Sequence, residues 1–221
     1  MALPRDQIEK GLAEELSTLS ALVRTLSAEE LATATRCDGW SVGDIAAHVA
    51  GTMADIVAGN FDGLGTPEVT RRQVQERRGR TAVELADELD EVNLASQELL
   101  SAFDDTAWEA AAPAGLAQTV GAGVESLWYD AFVHGDDILD ALGRPSARSE
   151  AIRASVSHIA AILTQQGWEP AHLELDGIET FDVSGGGSRT ITGDPLSFVL
   201  VGTGRADPAT IGLDETVNIY R

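Results

Sequence analysis

The sequence predicts a mainly α protein, with a four-helix bundle over residues 1–145 and a small α+β domain over 146–221. Apolar residues recur at spacings of three and four in four long segments ahead of Gly143-Arg144-Pro145. Beyond that stop the pattern shortens to strand-like runs broken by glycine. A hydrophobic fraction of 43% over 221 residues supports a packed core despite the heavy charge.

The first helix is read from Ile8, Leu12, Leu16, Leu19, Val23 and Leu26, one apolar stripe. A second begins near Ser41, where Ser41-Val42-Gly43-Asp44 resembles a capping box with Asp at the third helical position. Its stripe is Val42, Ile45, Val49, Met53 and Ile56. The third runs roughly from Thr81 to Phe103 and the fourth from Gly121 to Leu142. Four amphipathic helices joined by loops pack most simply as a bundle. After residue 145 a helix is expected at Glu150–Gln166, then strands at Ala171–Leu175, Thr180–Val183 and Arg189–Ile191. A short helix follows over Leu196–Val201, and Thr216–Tyr220 reads as a closing strand.

Charge and composition exclude several function classes. Fifteen Lys and Arg against 36 Asp and Glu give a formal charge of −21. A nucleic-acid binder needs a basic face to displace counterions, and a protein held on anionic lipid needs one too. No apolar run approaches the ~18 residues of a membrane span. The N-terminal stretch turns acidic at once, without an apolar signal core. The expectation is a soluble cytoplasmic protein, monomer or homodimer, with no nucleic-acid or membrane partner. The single cysteine, Cys37, excludes an internal disulfide and any multi-cysteine metal site.

Four histidines are present, and two lie on bundle helices. His134 falls near the middle of the fourth helix's apolar face, with Asp130 one turn earlier on its edge. A carboxylate and an imidazole at i and i+4 can point at one ion. His48, on the flank of the second helix's stripe, is a candidate third ligand. Two nitrogens and one carboxylate leave coordination positions open, as in catalytic sites, and suit Zn²⁺ or another divalent metal. The competing reading is a satisfied core histidine and an ordinary Asp–His helix pair. Asp136 and Asp140 read as solvated surface, and Asp137 as a structural residue or an orienter of a ligand. Arg71, Arg72, Arg77, Arg78 and Arg80 form a basic cluster, read as an anion site or as a helix face paired with nearby Glu. Cys37 reads as a small buried hydrophobe and Trp40 as a packing anchor. Arg205, after the tight turn Gly202-Thr203-Gly204, is able to present its guanidinium to a carboxylate.

Several segments carry a family resemblance. Leu26–Leu31 followed by Cys37-Asp38-Gly39-Trp40-Ser41-Val42-Gly43-Asp44-Ile45-Ala46-Ala47-His48-Val49 resembles the opening of the mycothiol-dependent maleylpyruvate isomerase family of the DinB-like superfamily. Val133-His134-Gly135-Asp136-Asp137-Ile138 and Ala141-Leu142-Gly143-Arg144-Pro145 resemble its His-x-x-Asp helix and the exit from it. Gly193-Asp194-Pro195-Leu196 and Gly204-Arg205 are similar to its smaller second domain. The resemblance implies a DinB-like bundle that holds a divalent metal, typically zinc, through His48, Asp130 and His134. The family's carboxylate is usually Glu, one methylene longer than Asp130. It implies that Arg205 binds substrate or thiol. It also implies a small, anionic substrate and a cosubstrate that is mycothiol or another low-molecular-weight thiol. The expected activity is a metal- and thiol-dependent isomerase or thiol transferase. The alternative is a non-catalytic small-ligand-binding protein of the same fold with a weakened metal site.

Overall fold

The structure is a computed structural model that describes residues 3–221. The described residues fold as two compact units, Arg5–Ala147 and residues 148–221 with Leu3 and Pro4. In the first unit the helices are α1 (Arg5–Arg24), α2 (Ala28–Leu31), α3 (Val42–Val57), α4 (Pro67–Arg77), α5 (Ala82–Ser101), α6 (Asp105–Glu109) and α7 (Val120–Ala141). The four long ones form the expected bundle, with α1 and α3 each packed against both α5 and α7. Their buried stripe includes Leu12, Leu16, Ile45, Val49, Leu85, Leu89, Phe132 and Ile138. At ~25 cal/mol per Å² this apolar burial is what holds the helices together.

Local chemistry sets the helix ends. Ser41 is the N-cap of α3: its hydroxyl accepts the Asp44 N–H at 3.2 Å, and the Asp44 carboxylate accepts the Ser41 N–H at 3.0 Å. Thr81 and Glu84 repeat the device on α5. α7 stops in a Schellman motif. Gly143, at φ 63°, donates to Asp140 O, and Arg144 N–H reaches back to Leu139 O. Tight helix crossings rest on glycine: a Cβ on Gly11 of α1 would sit 2.2 Å from the Trp128 ring of α7.

The second unit contains α8 (Ala151–Gln165), β1 (Ala171–Leu175), β2 (Phe181–Val183), β3 (Arg189–Gly193) and α9 (Pro195–Gly202). The sheet order is β2-β1-β3, with β2 antiparallel and β3 parallel to β1. Ala171, Leu173 and Leu175 alternate inward toward the core that α8 and α9 complete. The loop from β2 to β3 crosses the start of β1 so closely that a Cβ on Gly186 would lie 2.4 Å from His172 Cε1.

The expected closing strand at Thr216–Tyr220 is not a strand. Glu215–Val217 is a 3-10 turn whose N-cap Asp214 accepts the Thr216 N–H at 2.9 Å. Val217 and Ile219 are both buried, which mimics the alternation of a strand. Ile219 makes one backbone bond, to Gly202 O at 2.9 Å, instead of a ladder.

Candidate metal centre

α3 and α7 pack side by side, and that contact brings His48 to Asp130 and His134. Asp130 approaches both rings, with Oδ1 3.5 Å from His134 Nε2 and Oδ2 3.8 Å from His48 Nε2. The two imidazoles meet edge to face, with centroids 5.0 Å apart. One ligand atom from each of the three residues falls within 4.8 Å of the others. Two ligands at ~2.0–2.1 Å from a tetrahedral zinc lie ~3.3 Å apart, so small side-chain movements close the set on one ion. Both histidines are largely buried, at 13% and 12% side-chain exposure, whereas Asp130 at 27% stands on the open side.

The surrounding groups differ for the two histidines. Asp137 Oδ2 lies 3.0 Å from His134 Nδ1, an arrangement that keeps a proton on Nδ1 and leaves the Nε2 lone pair facing Asp130. His48 Nδ1 is buried without a hydrogen-bond partner; the Gln73 side chain is close enough to favour the protonated ring but outside hydrogen-bond geometry. Burial lowers the pKa of His48, and the neighbouring His134 adds to this against the pull of Asp130. For His134 burial works in the same direction, but Asp130, then Asp137 and Cys37, outweigh it and raise the pKa to about 9.

Charge also suits a cation here. Asp130, Asp136 and Asp137 stand against one guanidinium, Arg36, which bonds Asp137 at 2.6 Å and Asp136 at 2.5 Å. With neutral imidazoles the cluster carries a formal charge of −2, which a divalent ion cancels. Donor type, spacing and charge therefore fit a zinc-like metal held by two imidazoles and a carboxylate.

Several residues take positions their sequence context did not predict. Asp136, expected on a solvated surface, is buried against Arg36, while Asp140 is exposed as expected. Of the two readings of Asp137, structural residue or orienter of a ligand, its direct contact with His134 matches the second. Trp40 does more than anchor α3: its ring lies 5.1 Å from that of His48 and stacks 6.3 Å from that of His134. The Cys37 thiol donates to Asp137 Oδ2 at 3.1 Å. Arg36 was not singled out, because its partners lie about a hundred residues away in the chain.

The basic cluster on α4 is largely neutralised. Arg77 is buried in a two-pronged contact with Glu88 at 2.8 and 2.7 Å, Arg80 shares Glu88, and Arg72 pairs with Asp55. Arg205 belongs to the other compact unit. It is half-buried after Gly204 at φ 70°, with Nη1 3.4 Å from Thr203 O.

Two histidines and one carboxylate converging from facing helices of a bundle define a helical protein with a set of side chains that could hold a metal ion. The chain belongs to the mycothiol maleylpyruvate isomerase N-terminal domain family, whose model matches residues 12–139. Its fold is also that of a solved mycothiol-dependent maleylpyruvate isomerase, at TM-score 0.66 and 15% identity over 92% of this chain and 90% of that one. A histidine-to-alanine mutant of a mycothiol-dependent maleylpyruvate isomerase is similar at TM-score 0.64 and 14% identity, over 96% of each chain. No curated protein matches the chain. Among the described residues, no helix is long and apolar enough to cross a membrane.

Proposed function

We propose that the protein is a metal- and thiol-dependent isomerase or thiol transferase. In this reading His48, Asp130 and His134 hold a divalent metal, and the cosubstrate is mycothiol or a similar low-molecular-weight thiol. The observation that carries the reading is the convergence of these three side chains, with the ring of His134 set by Asp137. A bound divalent metal favours the thiolate form of a coordinated thiol and so supplies a nucleophile at neutral pH.

The chain's own residues do the remaining work. Asp137 holds the Nδ1 proton of His134 so that Nε2 faces the centre. Asp130, the most exposed of the three, lies on the side open to substrate. Trp40 packs across both imidazoles and keeps water from that side. The family resemblance further implies that Arg205 binds substrate or thiol, and a guanidinium makes a two-pronged carboxylate contact that Lys cannot reproduce. The reaction has a simple balance. The thiolate adds to an activated double bond, and the former double bond rotates as a single bond. Loss of the thiolate then gives the other geometric isomer and regenerates the thiol. Maleylpyruvate is the leading candidate substrate.

The test is metal content of protein purified without chelator, together with turnover of maleylpyruvate with and without mycothiol. One zinc-like metal per chain and thiol-dependent turnover are expected, and His134→Ala should lose both. A folded protein that binds substrate, takes up no metal and shows no thiol-dependent turnover would instead be the non-catalytic ligand binder.

A further inference from the structure

The loop between α2 and α3 is built onto α7. Val42 N–H donates to Thr33 O and Thr35 N–H to Trp40 O, each at 2.9 Å, and Trp40 N–H donates to Cys37 O at 3.0 Å. The Thr35 hydroxyl accepts the Cys37 N–H at 3.2 Å. These bonds fix the direction of residue 36. Arg36 Nε donates to Asp137 Oδ1 at 2.6 Å, and its Nη2 donates to Asp136 Oδ2 at 2.5 Å. The second oxygen of Asp137 is thereby reserved for His134 Nδ1 at 3.0 Å and the Cys37 thiol at 3.1 Å. Asp137 is fully buried, so protein groups alone decide how its carboxylate is turned.

We propose that Arg36 is a positioning residue for the metal centre. By locking Oδ1 of Asp137, it holds Oδ2 on His134 Nδ1 and so keeps His134 Nε2 aimed at Asp130 and His48. The inference rests on the metal reading above. A guanidinium is the group this task requires, because it reaches two adjacent carboxylates with separate N–H donors in one plane. Asp136 plays a different part: it holds the far side of the fork and does not touch His134. A carboxylate that orients a ligating histidine typically changes metal affinity 10–100-fold when it is disturbed.

The experiment uses the full chain. Arg36→Gln alone takes the guanidinium from two buried carboxylates and is liable to unfold, so it is combined with Asp136→Asn to keep the formal charge. The double variant, checked for fold by circular dichroism, should bind Zn²⁺ about 10–100-fold more weakly in competition with a chromophoric chelator. Its Co²⁺ complex should show an altered visible spectrum. Asp136→Asn alone keeps the Arg36–Asp137 bond, and its Zn²⁺ affinity should stay within about threefold of wild type, well short of that orienting effect. Arg36→Lys keeps the charge but not the fork and should resemble the double variant. A metal-independent readout is the ¹⁵N long-range spectrum of the His134 ring, recorded where the ring is neutral. Wild type should hold the proton on Nδ1, and the double variant should populate both tautomers. A folded double variant with wild-type Zn²⁺ affinity, Co²⁺ spectrum and tautomer would overturn the proposal. A wild type that binds no zinc but keeps the fixed tautomer, lost in the double variant, would overturn the metal reading and leave Arg36 as the orienter of His134.

Discussion

In the metal-free protein His134 should retain a proton that the unfolded chain releases. Its pKa rises from 6.5 to about 9 because Asp130, Asp137 and Cys37 together outweigh burial. Below pH 6.5 both states are protonated and the full stabilisation is present. Between 6.5 and 9 the unfolded chain loses its proton first, so stability falls as pH rises, and above about 9 the contribution is gone. At about 1.4 kcal/mol per pH unit, the loss between pH 7 and pH 10 is about 2.5 kcal/mol. His48 has the opposite sign: burial lowers its pKa, so its contribution is complete above 6.5 and is lost on the acid side. Restricting the measurement to pH 7–10 therefore isolates His134. The assay is urea unfolding with EDTA present, for wild type and His134→Gln. The stability difference between them should shrink by about 2.5 kcal/mol across the window, other titrating groups being common to both. A difference constant to within about 0.5 kcal/mol would refute the protonated, doubly paired imidazole. The same proton must leave when metal binds, so apparent Zn²⁺ affinity should rise about tenfold per pH unit from 7 toward 9.

Arg205→Ala should lower kcat/KM about tenfold or more while zinc content and unfolding midpoint stay at wild-type values, since a charge-assisted contact contributes ~1.5–3 kcal/mol. Gly51→Ala should destabilise by about 1–3 kcal/mol in urea unfolding, because its Cβ would lie 2.6 Å from Gln73 Cβ, where α3 meets α4. Gly135→Ala meets nothing within 4 Å. It should stabilise α7 by up to ~1 kcal/mol through helix propensity.

Features that depend on neighbouring residues were legible in the sequence. The Ser41–Asp44 cap and the Gly143 stop are local hydrogen-bond patterns, and the structure contains both. The Asp130–His134 pair is a spacing of one helical turn, whereas His48, on another helix, was read from the flank of its stripe and from the family resemblance. The Arg36 fork was not legible. It joins residues about a hundred positions apart, and a helical wheel turns Asp136 outward unless another segment covers that face. The loop at 33–42 supplies that cover. α4 escaped notice because its buried side consists of Gln73, Val74 and Arg77, a mostly polar set with no apolar stripe. At the C-terminus, two buried residues in alternation imitated a strand that the Asp214 cap turns into a 3-10 turn.

The carboxylate at position 130 decides whether the shorter side chain weakens the centre. Asp130 already places one oxygen 3.5 Å from His134 Nε2 and the other 3.8 Å from His48 Nε2. Both distances are slightly longer than the ~3.3 Å separation of two ligands on a tetrahedral zinc. Asp therefore reaches the centre at the α3–α7 spacing this chain adopts. A Glu would carry the carboxylate about 1.5 Å further, one C–C bond. That distance takes it into the imidazoles, or outward through the open side where Asp130 is already 27% exposed. Asp130→Glu should thus retain one zinc per chain but bind it about tenfold more weakly, a loss of ~1.4 kcal/mol. Asp130→Asn, which keeps the length and removes the charge, should also bring the pKa of His134 down from about 9, because Asp130 is the largest influence opposing burial there. Competition titration of Zn²⁺ measures the first effect and NMR titration of the metal-free protein the second. Tighter zinc binding by Asp130→Glu than by wild type would show that Asp130 falls short, and that the bundle is spaced for the longer side chain.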